Sequence, residues 1–318
     1  MDISKLSENI KNYKIIGFGE CAHWVSIINK YRIDLFKKLH MKYNWKFFFY
    51  EGNIYRTCII DSYINGLITN INSIYMYLPH PFRDNHNIKF IEWCKNRNKN
   101  LSINNRIHIF GWDCQPLFKN KYIINKNKQI SNLKKNIKTF FPSLNLNKIN
   151  KYYEEIDKIS YDDPKYSNIR DRNSYNIIKE FISILPDSNK LYLIGHNVHL
   201  NIKKYDYSEG HKIIRLGYYL NKYYNYLSIG SDILSGKVVC NIEKNYNWNG
   251  EKIIKRLETQ KNNITIIKPS NKTKHLFCSE MTDQKLLNSK NSHHLIIRFI
   301  KDKPWTHNLK TQNELRFV

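Results

Sequence analysis

Short apolar runs alternate along the chain with longer stretches in which apolar positions recur at helical spacing, the signature of strands interleaved with helices that bury one face. The pattern predicts a helix over residues 3–13, a strand over 14–18 and a helix over 24–40 that sets Ile27, Ile28, Tyr31, Leu35 and Leu39 on one core-facing stripe. An apolar strand over 46–50, helices over 55–64 and 87–99, and a strand over 106–111 continue the series. Strand, helix, strand, helix in this order predicts an α/β fold, a parallel-rich central sheet flanked by helices. Residues 118–165 break the alternation with polar, Lys- and Asn-rich helical stretches punctuated by Pro142 and Asp162-Asp163-Pro164. They are expected to form a helical insertion, or lid, between the third and fourth main strands. The alternation resumes with a helix over 171–185, a strand over 190–194, a helix over 213–223 and strands over 226–229 and 237–240. A helix over 252–258 and strands over 264–267 and 294–299 complete it, and with no repeat or linker-like stretch a single domain over 1–318 is expected.

Composition changes this picture little. Of 318 residues, 41% are hydrophobic and 14% aromatic, enough to build a core without disulfides or metal. Lys and Arg number 52 against 27 Asp and Glu, a formal charge of +25 that raises the question of an anionic partner. Lys, Asn, Ile and Tyr are over-used everywhere, even in loop-like stretches such as 120–127, as an AT-rich genome produces whatever the function. The charge is therefore spread rather than gathered on a motif, so no specific nucleic-acid partner is expected, although a basic surface favours acidic substrates. No apolar run approaches the roughly 18–20 residues that cross a bilayer, and the N-terminal segment lacks an apolar signal core. A cytoplasmic protein without membrane association is the expectation. Cys21, Cys58, Cys94, Cys114, Cys240 and Cys278 are scattered without a CxxC, which argues against a zinc ribbon or disulfide framework and for reduced, mostly buried thiols.

In an open α/β sheet, ligands bind beyond the carboxyl ends of the strands, so polar residues that follow strand patterns are the candidates for chemistry. Four strands end in that way: IIGFG runs into Glu20-Cys21-Ala22-His23, FFFY into Glu51-Gly52-Asn53, IHIFG into Trp112-Asp113, and LYLIG into His196-Asn197-Val198-His199. One such end is most simply a helix cap or a satisfied core histidine. Four together point to a site, because clustered ionisable groups are costly to desolvate unless used. His293-His294, Trp93, Tyr152-Tyr153 and the Lys134-Lys135 and Lys203-Lys204 pairs are expected to be structural or solvated.

The order of these motifs resembles the erythromycin esterase family. Gly19-Glu20 with His23 matches its Gly-Glu-x-x-His motif, Arg32 its arginine on the next helix, and Glu51 the glutamate closing its second strand. Gly111-Trp112-Asp113 matches its Gly-x-Asp, and His196-Asn197-Val198-His199 its His-Asn-x-His. Arg170-Asp171-Arg172 ahead of the next helix, and Leu216 to Leu220 followed by Tyr226 to Gly230, are further echoes. The resemblance implies a metal-independent hydrolase without a cofactor, in which neutral histidine deprotonates water for attack on an ester or lactone carbonyl. His23 is the candidate base, Glu20 and Glu51 orient it, and Arg32 with one of His196 and His199 stabilises the oxyanion while the other places water or leaving group. Trp24, Asp113, Asn197 and Arg56 are candidate substrate contacts, Arg56 for an anionic group. No G-x-S-x-G is present, so a serine triad finds no support.

Alternatives for the same residues are a metal or haem protein of the same superfamily, a non-hydrolytic acid/base enzyme, and a binding module that has lost hydrolysis. The stretch between Asp113 and Arg170 is shorter than the helical insert of the antibiotic-resistance members. The partner is thus expected to be a small-molecule or peptide-linked ester, a macrolide or a biosynthetic intermediate among the options, with the oligomeric state open.

Overall fold

The structure, a computed structural model, describes residues 3–21, 23, 25–69, 74–115, 126–206 and 212–233, and strands at 237–241, 244–247, 264–267, 274–278, 284–288 and 295–299. Trp24, the helix predicted over 252–258 and His293-His294 lie outside the described residues.

The elements follow the predicted alternation with shifted ends, and the short helices at 74–77 and 197–200 and the strands at 244–247, 274–278 and 284–288 were not predicted. They begin α1 (Ile3–Ile10), β1 (Ile15–Glu20), α2 (Ser26–Tyr43), β2 (Phe47–Tyr50), α3 (Ile54–Ile64), α4 (Ile74–Tyr77), α5 (Asn85–Asn98) and β3 (His108–Gly111). Next come α6 (Lys126–Phe140), α7 (Leu146–Asp157), α8 (Tyr166–Ile184), β4 (Leu191–His196), α9 (Asn197–Leu200), α10 (Leu216–Tyr223) and β5 (Tyr226–Ile233). The remaining strands are β6 (Lys237–Asn241), β7 (Lys244–Asn247), β8 (Ile264–Ile267), β9 (Lys274–Cys278), β10 (Gln284–Asn288) and β11 (Leu295–Phe299).

A seven-stranded sheet in the order β3-β2-β4-β1-β5-β11-β8 forms the centre. Its pairings are parallel except for the edge strand β8, which runs antiparallel to β11. β4 enters the sheet between β1 and β2, so Glu20 stands beside His196 in register and the Tyr50–Glu51 end lies on the other side of β4. All four motif-bearing strand ends consequently share one edge.

Strand alternation divides the core between the two sheet faces. Phe48, Tyr50, Tyr192 and Ile194 pack with α2 and α5 residues such as Phe36 and Phe90, whereas Phe47, Phe49, Leu191 and Leu193 pack with Phe181 of α8 and Ile149 of α7. The helical insertion between β3 and β4 is docked: Ile137, Leu146, Ile149, Tyr153 and Ile156 are buried, and Phe141 meets Phe47, Phe110 and Phe181 edge-on. The Tyr153 hydroxyl donates to the Asp113 carbonyl at 3.1 Å and accepts from the Ile54 amide at 3.1 Å, which ties the insertion to the rim of the sheet. Among the described residues no helix is long and apolar enough to cross a membrane.

Candidate active site

At the end of β1, the buried Glu20 carboxylate is shared. One oxygen lies 2.7 Å from His23 Nδ1, and the other accepts from Arg32 Nη2 at 2.9 Å. An imidazole nitrogen facing a carboxylate donates its proton, so His23 carries hydrogen on Nδ1 and its Nε2 becomes the basic nitrogen. The His23 side chain is 31% exposed, whereas His196 and His199 are buried. Burial disfavours its charged form, but the hydrogen bond to Glu20 and the charges of Glu20 and Glu51 outweigh it, and the pKa lies above the ordinary histidine value.

Arg32 reaches this carboxylate from α2, one helical turn beyond Asn29, whose amide oxygen accepts from the same Nη2. Asn29 in turn donates to Asp84, which also accepts the Asn87 amide at 2.7 Å and thereby caps α5. The Arg32 guanidinium lies over the Phe82 ring at 4.8 Å, and its Nε and Nη1 are buried with no hydrogen-bond partner among the described residues. Asn29 and Asp84 were not predicted: an Asn on a helix and an Asp before one look like ordinary surface and cap residues until the packing is known.

Glu51 is committed to the far side of β4. Its Oε2 accepts the His196 backbone amide at 2.6 Å, while Oε1 receives Arg170 Nη2 at 3.1 Å and lies 3.4 Å from His199 Nε2. This approach needs Gly195, because a Cβ there would sit 2.9 Å from Glu51 Oε2 and 2.5 Å from Trp112. Burial opposes ionisation of Glu51, but the charges of His199, Arg170 and His23 overcome it and hold the carboxyl at about 2. Of the two acids expected to orient His23, Glu20 makes the hydrogen bond and Glu51 acts on it through charge.

His196 ends β4 and caps the short α9. Its Nδ1 accepts the Val198 amide at 3.3 Å, which leaves the ring proton on Nε2. Burial and then the charge of His23 push its pKa down to about 3, so it is a neutral donor near neutrality. Its ring meets that of His23 edge-on, with centroids 5.1 Å apart, so the first and fourth strand ends do converge. His199 faces carboxylates on both nitrogens, Asp171 at 2.9 Å from Nδ1 and Glu51 from Nε2.

Asp171 also accepts the Leu216 amide and Arg215 Nη1; despite burial, the charges of His199 and Arg215 hold it at about 2. Arg170 grips Asp113 in a fork, with Nε to Oδ1 and Nη2 to Oδ2 both at 2.8 Å. Arg170, Asp171 and Arg172 lie within the opening turns of α8, which begins at Tyr166, rather than ahead of the helix. Arg170 and Asp171 were not among the predicted site residues; the sequence offered them only as an Arg-Asp-Arg echo of the family pattern, and their burial and partners came from the structure.

The remaining candidates are placed differently. Asp113 faces Arg170, and the Asn197 amide is taken up by the Ser231 backbone, donating to its carbonyl at 2.8 Å and accepting its amide at 3.1 Å. Asn197 thus joins α9 to β5. Arg56 stands in the first turn of α3 with its guanidinium on the Met76 carbonyl. Burial raises the Cys58, Cys94 and Cys114 thiols well above their ordinary value, which leaves them poor nucleophiles. Among the described residues no group of three or more His, Cys, Asp or Glu side chains is arranged to hold a metal ion.

No protein-family model matches the chain, and no curated protein matches it by sequence. Three solved structures share its fold over nearly the whole length. A Bacillus cereus protein is 15% identical with a TM-score of 0.68, covering 97% of this chain and 94% of its own. A succinoglycan biosynthesis protein is 16% identical with a TM-score of 0.69, covering 94% and 90%. An erythromycin esterase mutant in its open conformation is 11% identical with a TM-score of 0.60, covering 95% of each chain. The erythromycin esterase resemblance is therefore supported at the level of the fold.

Proposed function

We propose that the chain is a metal-independent hydrolase of esters or lactones in which His23 activates water. The observation that carries this is the Glu20–His23 pair: a buried carboxylate fixes Nδ1–H at 2.7 Å, and the ring beyond it is the partly exposed one of three histidines at the sheet edge. That arrangement supplies a basic Nε2 and an anion that stabilises the imidazolium formed on proton transfer. Neutral His196, with its proton on Nε2 and its ring 5.1 Å from His23, supplies a hydrogen-bond donor for the carbonyl oxygen as it gains charge. Arg32 supplies positive charge on the other side of Glu20, with two buried nitrogens unspent among the described residues. His199, held between Asp171 and Glu51, keeps the β4 end rigid. For the substrate, a macrolide lactone and a biosynthetic ester are both compatible with a fold shared with an erythromycin esterase and a succinoglycan biosynthesis protein.

The test is turnover of an ester and lactone panel by wild type and His23→Asn. His23→Asn is expected to lose about 10²-fold or more in kcat with its melting temperature retained. Near-normal turnover by that variant would move the base elsewhere, and zinc or iron at one equivalent in active protein would replace this mechanism with a metal-assisted one.

A further inference from the structure

Arg32 meets Glu20 with one nitrogen only. Its Nη2 carries two hydrogens: one goes to Glu20 Oε2 at 2.9 Å and the other to the Asn29 amide oxygen. Nε and Nη1 stay buried without a hydrogen-bond partner among the described residues. A guanidinium beside a carboxylate ordinarily takes both of its oxygens in a fork. Here that fork would put a second donor on Oε1, the oxygen 2.7 Å from His23 Nδ1, and weaken the bond that makes His23 basic. Asn29 takes the second Nη2 hydrogen instead, and the Phe82 ring, 4.8 Å from the guanidinium carbon, covers one face of the group.

Asn29 can accept from Arg32 in one orientation of its amide only, because an amide carries its acceptor on one side and its donors on the other. Its nitrogen donates to Asp84 Oδ2, which turns the oxygen toward Arg32. Asp84 has donors on both oxygens, since Oδ1 accepts the Asn87 backbone amide at 2.7 Å and its side-chain amide at 3.0 Å. The Asn87 amide is oriented in turn by the Tyr50 hydroxyl, which donates to its oxygen at 2.8 Å. Asn29, Asp84, Asn87 and Tyr50 are all buried, so these bonds are not traded for water. An N–H group in place of Asp84 Oδ2 would reverse the Asn29 amide and point its own N–H groups at Arg32.

We propose that Asp84 and Asn29 are positioning residues for the Glu20–His23 pair: Asp84 orients the Asn29 amide, Asn29 holds Arg32 to one oxygen of Glu20, and the other oxygen is kept for His23. The effect on turnover rests on the hydrolase assignment; the effect on the His23 ring does not. Without this relay Arg32 turns an unspent nitrogen onto Oε1, and His23 loses part of the charge that stabilises its imidazolium. Glu51, after β2, and His196, at the end of β4, also act on that ring, and neither is altered in the variants below.

The experiment compares wild type, Asn29→Ala, Asp84→Asn and the exchange Asn29→Asp with Asp84→Asn. Asn29→Ala removes the Nη2 acceptor without changing any charge. Asp84→Asn keeps an oxygen for the Asn87 amide that caps α5 but turns N–H groups toward Asn29. In the exchange, the carboxylate at 29 accepts from Arg32 and from the amide at 84, so the bonds and the net charge return. Two readouts are taken: kcat and KM on an ester substrate, and the pH titration of the His23 imidazole by NMR, assigned as the signal missing from His23→Asn. Each single variant should lower kcat about tenfold with KM little changed and move the His23 pKa down from its raised value. The exchange should restore most of kcat and return the His23 pKa. A role in capping or packing alone would lower the melting temperature and leave the histidine where it was. An unmoved His23 titration in Asn29→Ala would therefore overturn the proposal, as would an exchange no better than Asp84→Asn. Should one single variant fail to fold, the other carries the comparison. A shifted His23 in protein that turns over no ester would remove the hydrolase assignment alone, and turnover with an unmoved His23 in the variants would remove the relay alone.

Discussion

His23 and Glu20 set the pH behaviour of the site. Because Glu20 raises the histidine pKa above its ordinary 6.5, the base is protonated and inactive below that raised value, and kcat/KM should climb with pH through it. In Glu20→Gln the charge is lost and the amide oxygen is a weaker, neutral acceptor for Nδ1–H, so burial dominates. The rise should move to lower pH while kcat drops by about 10²-fold, both read from one pH–rate profile; an unmoved rise would mean that another group titrates. Arg170 tests the opposite kind of residue. It neutralises Asp113 and Glu51 together, so Arg170→Met leaves two buried carboxylates facing one another and should cost about 3–5 kcal/mol in urea unfolding. A loss below 1 kcal/mol would show that solvent reaches both acids.

Among the elements, β4 is the one on which the site depends most. It lies between β1 and β2, and its penultimate residue is glycine so that Glu51 and Trp112 can close over it. Gly195→Ala should therefore destabilise by about 1–3 kcal/mol and also lower turnover, because the new methyl group displaces the carboxylate that holds the His196 amide. A stability loss without an activity loss would place Glu51 outside the chemistry. The insertion contributes through Tyr153, whose hydroxyl joins α7 to the ends of β2 and β3. Tyr153→Phe should lose about 1 kcal/mol by denaturant melt, with the histidine pH profile unchanged.

For the whole molecule, the same charges make stability depend on pH. Glu51 and Asp171, held at about 2 in the folded chain, and His196, held at about 3, all bind more protons when unfolded, so stability must rise with pH wherever they titrate. The His196 contribution is lost as pH falls from 6.5 toward 3, and those of the acids as it falls from 4.5 and 3.8 toward 2. His23, with its raised pKa, acts in the opposite sense. The urea midpoint should fall from about pH 7 to 5 and again to 4; a midpoint constant over this range would contradict the charge assignments.

Alternation of apolar runs with helical spacing was sufficient, without any tertiary knowledge, to predict strands, helices and a parallel-rich sheet, because burial on both faces of such a sheet imposes continuous apolar strands like Phe47–Tyr50. Glu20, Glu51, Asp113 and His196 were legible for the same reason: polar residues directly after buried strands end up at the sheet edge. Strand order was not legible, since nothing local to residues 191–196 states that they slot between β1 and β2, and it is this crossover that sets His196 beside Glu20. Partner choice was equally hidden. Whether Glu51 turns to His23 or to Arg170, whether Asn197 faces a ligand or the Ser231 backbone, and whether Asn29 and Asp84 meet at all are decided by which helices pack over the edge, because hydrogen bonds join residues 119 positions apart as readily as neighbours once burial leaves no water to compete.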